Sequence, residues 1–312
     1  MTLGTATPPR RARGAAIVIA MLLAALAAAV TVALAAGQER WRATVEHRRD
    51  QVQAEALAQA GVQWSLGVLD QAARDSPVDA LTEPWALLLP PTPIGNGSIE
   101  GRIVDAQGFL NVNNLAVAGN AADVERLRLR ALFTAVGAGD AAPVDAIASA
   151  VASAASNARA ASDDAIYARA SPPRLAPQAP LARTAELATI RGITPATMRA
   201  IEPWVAALPP PTTLNVNTAP PEVLQAALPG LDDDATTALV AGRTRKPFST
   251  IAEFRARLPA SAHVVDERTL DVASRYFLVT VDARQGDARV LARALVRRAR
   301  PDPAAIVWQV IE

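Results

Sequence analysis

Histidine and aspartate are the side chains here that could move a proton or hold a metal ion, and their spacing supports neither role strongly. His47 falls on the polar side of a long helical stretch and His263 in a loop. Neither has the serine, aspartate and glycine neighbours of a nucleophile elbow or a catalytic triad. The sequence holds no glycine-rich phosphate loop and no HExxH pair. The run Asp232–Asp233–Asp234 offers the hard oxygens that calcium takes. Three acids just ahead of a helical segment also suit the positive end of a helix dipole, and that is the favoured reading. With no cysteine there is no disulfide framework and no thiolate chemistry. Trp204 and Trp308 read most simply as core or interface residues.

The elements that must position these groups are helix-rich. Half of the 312 residues are apolar, yet aromatic residues are only 4% and alanine supplies much of the apolar share. Alanine favours helix while contributing little buried area, so a modest core is expected. The charge is nearly balanced at 31 basic and 30 acidic side chains. Removing residues 1–14 takes away three arginines and no acid, leaving 28 against 30. That balance excludes a chain held to nucleic acid by its overall charge.

The N-terminus carries the clearest signal. Arg10, Arg11 and Arg13 precede Ala15–Ala36, 22 residues without a charge. As a helix this run is about 33 Å long at ~1.5 Å per residue, enough for a hydrocarbon core of about 30 Å. The flanking arginines orient it with the N-terminus cytoplasmic. A secretory signal ending at ALAA, residues 33–36, is the competing reading. Against it, the run is long for a signal, and helical character continues to Arg74 without a proline. Trp41, Val45, Val52, Ala56, Ala60, Trp64 and Val68 recur at about helical spacing, which predicts one long helix, apolar all round and then amphipathic.

A basic leader ending in glycine, followed by a small residue that opens such a helix, resembles the signals of type IV pilins and of the pseudopilins of type II secretion. The resemblance implies cleavage by a prepilin peptidase after Gly14, methylation of Ala15 as the new terminus, and retention of the apolar run as anchor and filament core. Most pilins carry glutamate at the fifth mature position; here it is Ile19. A carboxylate in an apolar helix bundle needs a partner, and its absence implies a subunit that does not make that contact. This resembles the minor pseudopilins of the general secretion pathway protein K family, which sit at the pseudopilus tip.

The remaining sequence is similar to that family over nearly its whole length. Prolines at 84, 90, 91 and 93 exclude helix, and SIEGRIVD then alternates as a strand with Ile99 and Ile103 on one face. DAQGFLNVNNL reads as a turn into a second strand. Residues 121–160 read as helical, with Val124, Leu127, Leu129, Leu132, Phe133 and Val136 as the apolar positions. A linker with four prolines spans 170–183. Residues 183–209 and 215–254 resemble each other and read as helix-hairpin-helix units, with Thr184 and Thr218 as helix caps. Such hairpins commonly hold DNA through a Gly-apolar-Gly turn. Here the turns are Gly192–Ile193–Thr194 and Gly230–Leu231–Asp232, the second glycine is missing, and the aspartates would repel phosphate. Arg243, Arg245 and Lys246 read as a solvated helix end. Residues 275–299 form a hairpin turning at Gln285–Gly286–Asp287, and 305–312 a last strand.

The expectation is thus an α+β, pilin-like fold: a long N-terminal helix on an antiparallel sheet, split by an inserted α-helical domain of helix-hairpin-helix or SAM-like type. The expected divisions are a leader at 1–14, membrane helix 15–36, amphipathic helix 37–75, first β-segment 76–115, inserted domain 116–270 and last β-segment 271–312. The resemblance implies a non-enzymatic inner-membrane protein with a periplasmic globular part. It also implies assembly with the I- and J-type minor pseudopilins, the pseudopilus shaft and the prepilin peptidase, without nucleic acid or a small-molecule substrate. A membrane-anchored helix-hairpin-helix protein for DNA binding or uptake is the alternative. Family members bind calcium, and Asp105, Asp282 and Asp287 stand at expected strand ends where ligand oxygens could converge.

Overall fold

The computed structural model describes residues 11–117, 119–139, 141–155, 168–169, 179–299 and 301–312. Most of the leader, residues 156–160 of the expected helix and most of the proline linker lie outside the described residues. The chain opens with α1, Arg11–Asp75, a single helix of 65 residues. Ser76 and Pro77 follow it directly, and proline cannot continue a helix.

Two strands come next, β1 (Leu89–Ile94) and β2 (Gly97–Asp105). The proline-rich stretch, for which the sequence excludes helix, is therefore partly a strand. It is an edge strand, where prolines are tolerated because the outward N–H has no ladder partner, and its register is broken between Leu89 and Thr92. The expected second strand shrinks to β3, Leu110–Asn111, outside the main sheet. Its Asn111 side chain caps the next 3-10 turn by accepting from the Asn113 amide, which bends the chain away from extension.

The inserted block follows. It contains α2 (Asn120–Ala135), α3 (Ala141–Ala155), α4 (Pro195–Ile201) and β4 (Val205–Ala206), which pairs in parallel with β3. It continues through β5 (Leu214–Asn215), α5 (Pro221–Ala227), α6 (Asp233–Arg245), α7 (Ile251–Ala256) and β6 (Leu270–Asp271). Its core runs from Leu110 and Val112 through Leu132, Ile147, Val223 and Phe254 to Val272. Both ends of the block thus extend a few residues beyond 116 and 270.

The chain returns to the main sheet with β7 (Tyr276–Gln285), β8 (Ala288–Arg297) and β9 (Ala305–Ile311). The sheet order is β1-β2-β7-β8-β9 and every pairing is antiparallel. β2 and β7 are therefore neighbours across an insertion of roughly half the chain. The helix α1 lies on one face, burying Ala54, Ala58, Val62 and Leu69 against Ile99, Ile103, Phe277, Val281 and Val290. Ile99 and Ile103 share one face, as their spacing predicts. At Gly61 the helix comes so close that a Cβ would overlap Ile99 and Val281. The fold is α+β, a pilin-like helix on a sheet with a helical insertion.

Candidate assembly surface and the joint beneath it

Among the described residues, none packs against the N-terminal part of α1. From Ala15 its apolar window has a mean hydropathy of 2.8 with none of it buried. Among the described residues this is the one helix long and apolar enough to cross a membrane. Gly14 and Ala15 lie within the first turns of α1. Ile19 is 59% exposed, with no carboxylate at its position.

The amphipathic half presents its large apolar residues to the outside. The helical period is present, but Trp41, Val45, Val52 and Trp64 face outward, Trp41 at 68% and Trp64 at 58% exposed. Ala56 and Ala60 are exposed with them. The face laid on the sheet consists of Ala54, Ala58, Gly61, Val62, Ser65 and Leu69. The physical reason is distance: a helix pressed onto a sheet accepts small residues at closest approach, and large ones are displaced outward. Trp64 and Val68 then form one wall of an apolar groove of about 270 Å³ with Trp85, Leu87, Leu88, Ile103 and Val281. The outward stripe runs from the membrane anchor to this groove without a break in the helix.

Under this surface a buried polar joint ties α1, the sheet and the inserted block together. Arg298, at the end of β8, donates to both carboxylate oxygens of Asp79 at 2.6 Å and to the Ser274 carbonyl at 3.0 Å. Its guanidinium also lies 4.6 Å from the centre of the Phe277 ring, which Trp85 meets edge-on. Burial raises the Asp79 pKa while Arg298 opposes the rise. Beside it, Asp105 Oδ2 accepts from Asn215 (2.9 Å), Thr218 (2.6 Å) and Ser274 (2.6 Å), and Oδ1 accepts from the Gln107 amide (2.8 Å). Burial pushes the Asp105 carboxyl up to about 6. Asn215 and Thr218 belong to the inserted block and Ser274 to its exit, so Asp105 is the point where the block is fastened to β2.

The three calcium candidates do not converge. Asp105 pairs in register with Phe277, whereas Asp282 lies five residues further along β7, about 17 Å at ~3.4 Å per residue. The acceptor oxygens of Asp105 are taken by protein donors. Asp282 is clamped by Arg289, with Arg284 alongside, and Arg289 holds its carboxyl below the usual range. Asp287 is exposed in the β7–β8 turn at the far end. These donor sets do not fit calcium, and no group of three or more histidines and acids capable of holding a metal exists among the described residues.

Asp232 caps α6, its Oδ1 accepting from the Ala235 amide at 2.8 Å, with Asp233 and Asp234 in the first turn. The amide that a phosphate would need is thus occupied, beside two more acids. Arg243 is not the solvated helix end expected of it. It is buried, and donates to the carbonyls of Val216 (2.7 Å) and Ala219 (2.6 Å), which leaves Arg245 and Lys246 as the exposed pair. Burial lowers its pKa to about 10. The hairpin resemblance survives in Gly192 and Gly230, both at positive φ, but the first unit opens with a 3-10 turn. Thr184 is the first residue of that turn, and Thr218 serves the joint, so neither is a cap. His47 is exposed on α1, and His263 is exposed in a loop of the inserted block, where its amide donates to the Pro229 carbonyl. Trp204 packs at the edge of the inserted core, and Trp308 against the small cluster where block and sheet meet.

Sequence reading singled out Asp105 but not Asp79, Ser274, Asn215 or Arg298. The Asn-x-Asn-Thr run at 215–218 was the available signal, since asparagines in an apolar setting need buried partners.

Comparison with known proteins agrees with this architecture. Family models described as type II secretion system protein K match residues 108–210 and 214–273. The type II secretion system protein K of Aeromonas hydrophila is 29% identical over 265 residues, covering 75% of this chain and 77% of that protein. In the crystal structure of the GspK-GspI-GspJ complex from the enterotoxigenic Escherichia coli type 2 secretion system, one chain superposes with a TM-score of 0.73 at 25% identity. That match covers 88% of this chain and 99% of the other. With an apolar anchor, a helix-backed sheet split by a helical block, and both family models falling on that block, the chain belongs to the type II secretion system protein K family of minor pseudopilins, anchored in the inner membrane by a single helix.

Proposed function

We propose that the chain is cut after Gly14, methylated at Ala15, and assembled through α1 with the I- and J-type minor pseudopilins at the pseudopilus tip, with its N-terminus cytoplasmic before cleavage. The observation that carries this reading is the outward stripe of Trp41, Val45, Val52 and Trp64, which continues the apolar anchor outside the membrane. Exposed apolar surface of this length marks an interaction face, and helices standing side by side in one membrane extend their contact along it. The role is structural rather than catalytic, in keeping with two exposed histidines on different elements. Ile19 leaves no intramembrane carboxylate for pairing with a neighbour's terminal amine, which suits a subunit with no neighbour on that side. The inserted block, roughly half of the chain, suits the end of a filament better than its shaft.

The test is the N-terminal residue and intact mass of the full chain from membranes with and without the prepilin peptidase. Ala15 as terminus only with the peptidase is the expected result. Met1 in both strains, or a terminus near Ala36, overturns the assembly reading.

A further inference from the structure

The two edges of the main sheet are unlike. Pro90, Pro91 and Pro93 and a broken register guard β1, devices that keep a sheet edge from pairing. The other edge, β9, reads Ala-Ile-Val-Trp-Gln-Val-Ile, with neither proline nor charge; it too has one register shift, between Ile306 and Trp308, beyond which Trp308–Ile311 pairs with β8 without interruption. Leu291 and Glu312 exchange both backbone hydrogen bonds, at 2.8 and 2.9 Å. By alternation along an antiparallel ladder, Gln309 and Ile311 therefore direct their N–H and C=O groups away from β8. Val307 and Ile311 add exposed apolar side chains. We infer that β9 is an acceptor edge for an extended, proline-free segment of a different protein, with apolar residues at alternate positions, added as a sixth strand.

A second copy of this chain does not fit. The strands run along α1: Gly286, at the hairpin turn, contacts Asp50 on the membrane side, and Arg298 and Ala304 reach Leu69 and Asp70 at the distal end. Antiparallel pairing of β9 with β9 needs a two-fold axis across the strands. That axis would point the second anchor away from the membrane. Head-to-tail pairing would set β9 against another copy's β1, where Pro90, Pro91 and Pro93 remove the donors. This argument needs only the single membrane anchor and does not depend on tip assembly.

The experiment uses the full chain in nanodiscs and the hexapeptide acetyl-TVTVTV-amide, with a proline-interrupted version as control. Hydrogen–deuterium exchange by mass spectrometry reads residues 305–312. The expected result is slowed exchange there with the first peptide only. Gln309→Pro, which removes an outward donor and no bond to β8, should weaken binding at least about fivefold, one hydrogen bond's worth, with unfolding temperature unchanged. Ile311→Pro, at the other outward-directed position of the strand, replaces it if Gln309→Pro misfolds. Unchanged exchange with the peptide, or binding by a folded proline variant as tight as by the native chain, overturns the proposal. Self-association of the chain in nanodiscs that is lost in Gln309→Pro overturns the exclusion of a second copy.

Discussion

Replacing Arg298 by methionine tests the buried joint, because methionine keeps a long apolar side chain while deleting the guanidinium with its bonds to Asp79 and its contact over the Phe277 ring. Asp79 and Arg298 are both almost fully buried. The native carboxylate receives two bonds at 2.6 Å from Arg298 and one at 2.7 Å from the Ser274 amide. Without Arg298 the amide remains, and a buried carboxylate is left without its counter-charge. Breaking one side of a buried pair costs about 3–5 kcal/mol, mostly as the penalty on the survivor. The expected loss at pH 7 is therefore about 4 kcal/mol, measured by urea unfolding of the full chain in detergent with tryptophan fluorescence, which Trp85 beside Phe277 helps to report. The pH dependence gives the sharper check. Burial already raises the Asp79 pKa and Arg298 opposes that rise, so deleting Arg298 moves it higher. A carboxylate raised in the folded state contributes stability below its unfolded pKa and loses it as pH rises through the folded one. The deficit of Arg298→Met should thus be largest near neutrality and shrink towards pH 5. Asp79→Asn combined with Arg298→Met should recover much of it, since removing both charges leaves no uncompensated ion. A deficit under about 1 kcal/mol at pH 7, or one that grows on acidification, would refute the account of the joint as a charge-compensated pair.

Asp105 gives a second pH test. Its rise from 3.8 to about 6 means that its contribution is present at pH 4 and lost above 6, a swing of about 3 kcal/mol. Asp105→Asn should therefore gain about 2 kcal/mol on the native chain between pH 4.5 and 7 in urea unfolding, the part of that swing which falls above pH 4.5; a constant difference counts against it. Gly230→Ala should cost more than about 2 kcal/mol, because φ is +83° and the new methyl would overlap the Ser261 carbonyl. Gly95→Ala, at φ +59° in open space, should cost only about 1 kcal/mol; equal thermal shifts for the two would remove packing as the reason. Arg243→Met leaves the Val216 and Ala219 carbonyls unpaired and should lower stability by about 2–4 kcal/mol, with the unfolding transition as readout. Trp41→Ala with Trp64→Ala should leave that transition within about 0.5 kcal/mol while abolishing co-purification of I- and J-type pseudopilins, and unimpaired co-purification would remove the stripe from the interface.

Local chemistry explains most of what the sequence made visible. The long helix was legible because no proline interrupts it, and β7 and β8 because alternation meets a Gly-Asp turn. β1 was hidden because prolines argue against strands until one knows the strand is an edge. β3 was overestimated because Asn111 and Asn113 take up main-chain partners that a longer strand would need. The joint was beyond reach for a different reason. Asp79, Asp105 and Arg298 are separated by up to 219 residues, and only the folded sheet reveals that one arginine answers a carboxylate at the other end of the chain. Arg243 shows the same limit: a guanidinium at a helix end looks solvated unless the carbonyls folded over it are known.

The outward face of α1 is the most instructive feature of the fold, because it runs against a reliable rule. Placing large apolar residues inward gives the core face of most amphipathic helices. On α1 the large residues recur with the right period and the small ones recur one step away, so the helix has two apolar faces rather than one. Contact with the sheet selects between them by distance: Gly61 sits where even a methyl group would overlap Ile99 and Val281, and a tryptophan at that level would hold the helix off the sheet. The small face therefore belongs to the fold, and the large face is left for something outside the chain. Had stability of the isolated subunit been the only requirement, Trp41, Val45 and Trp64 would be as well replaced by lysine or glutamate, which keep a helix soluble. Their exposure is a cost in the monomer that another helix would remove by covering them, and for that reason the proposed assembly surface is placed on this face.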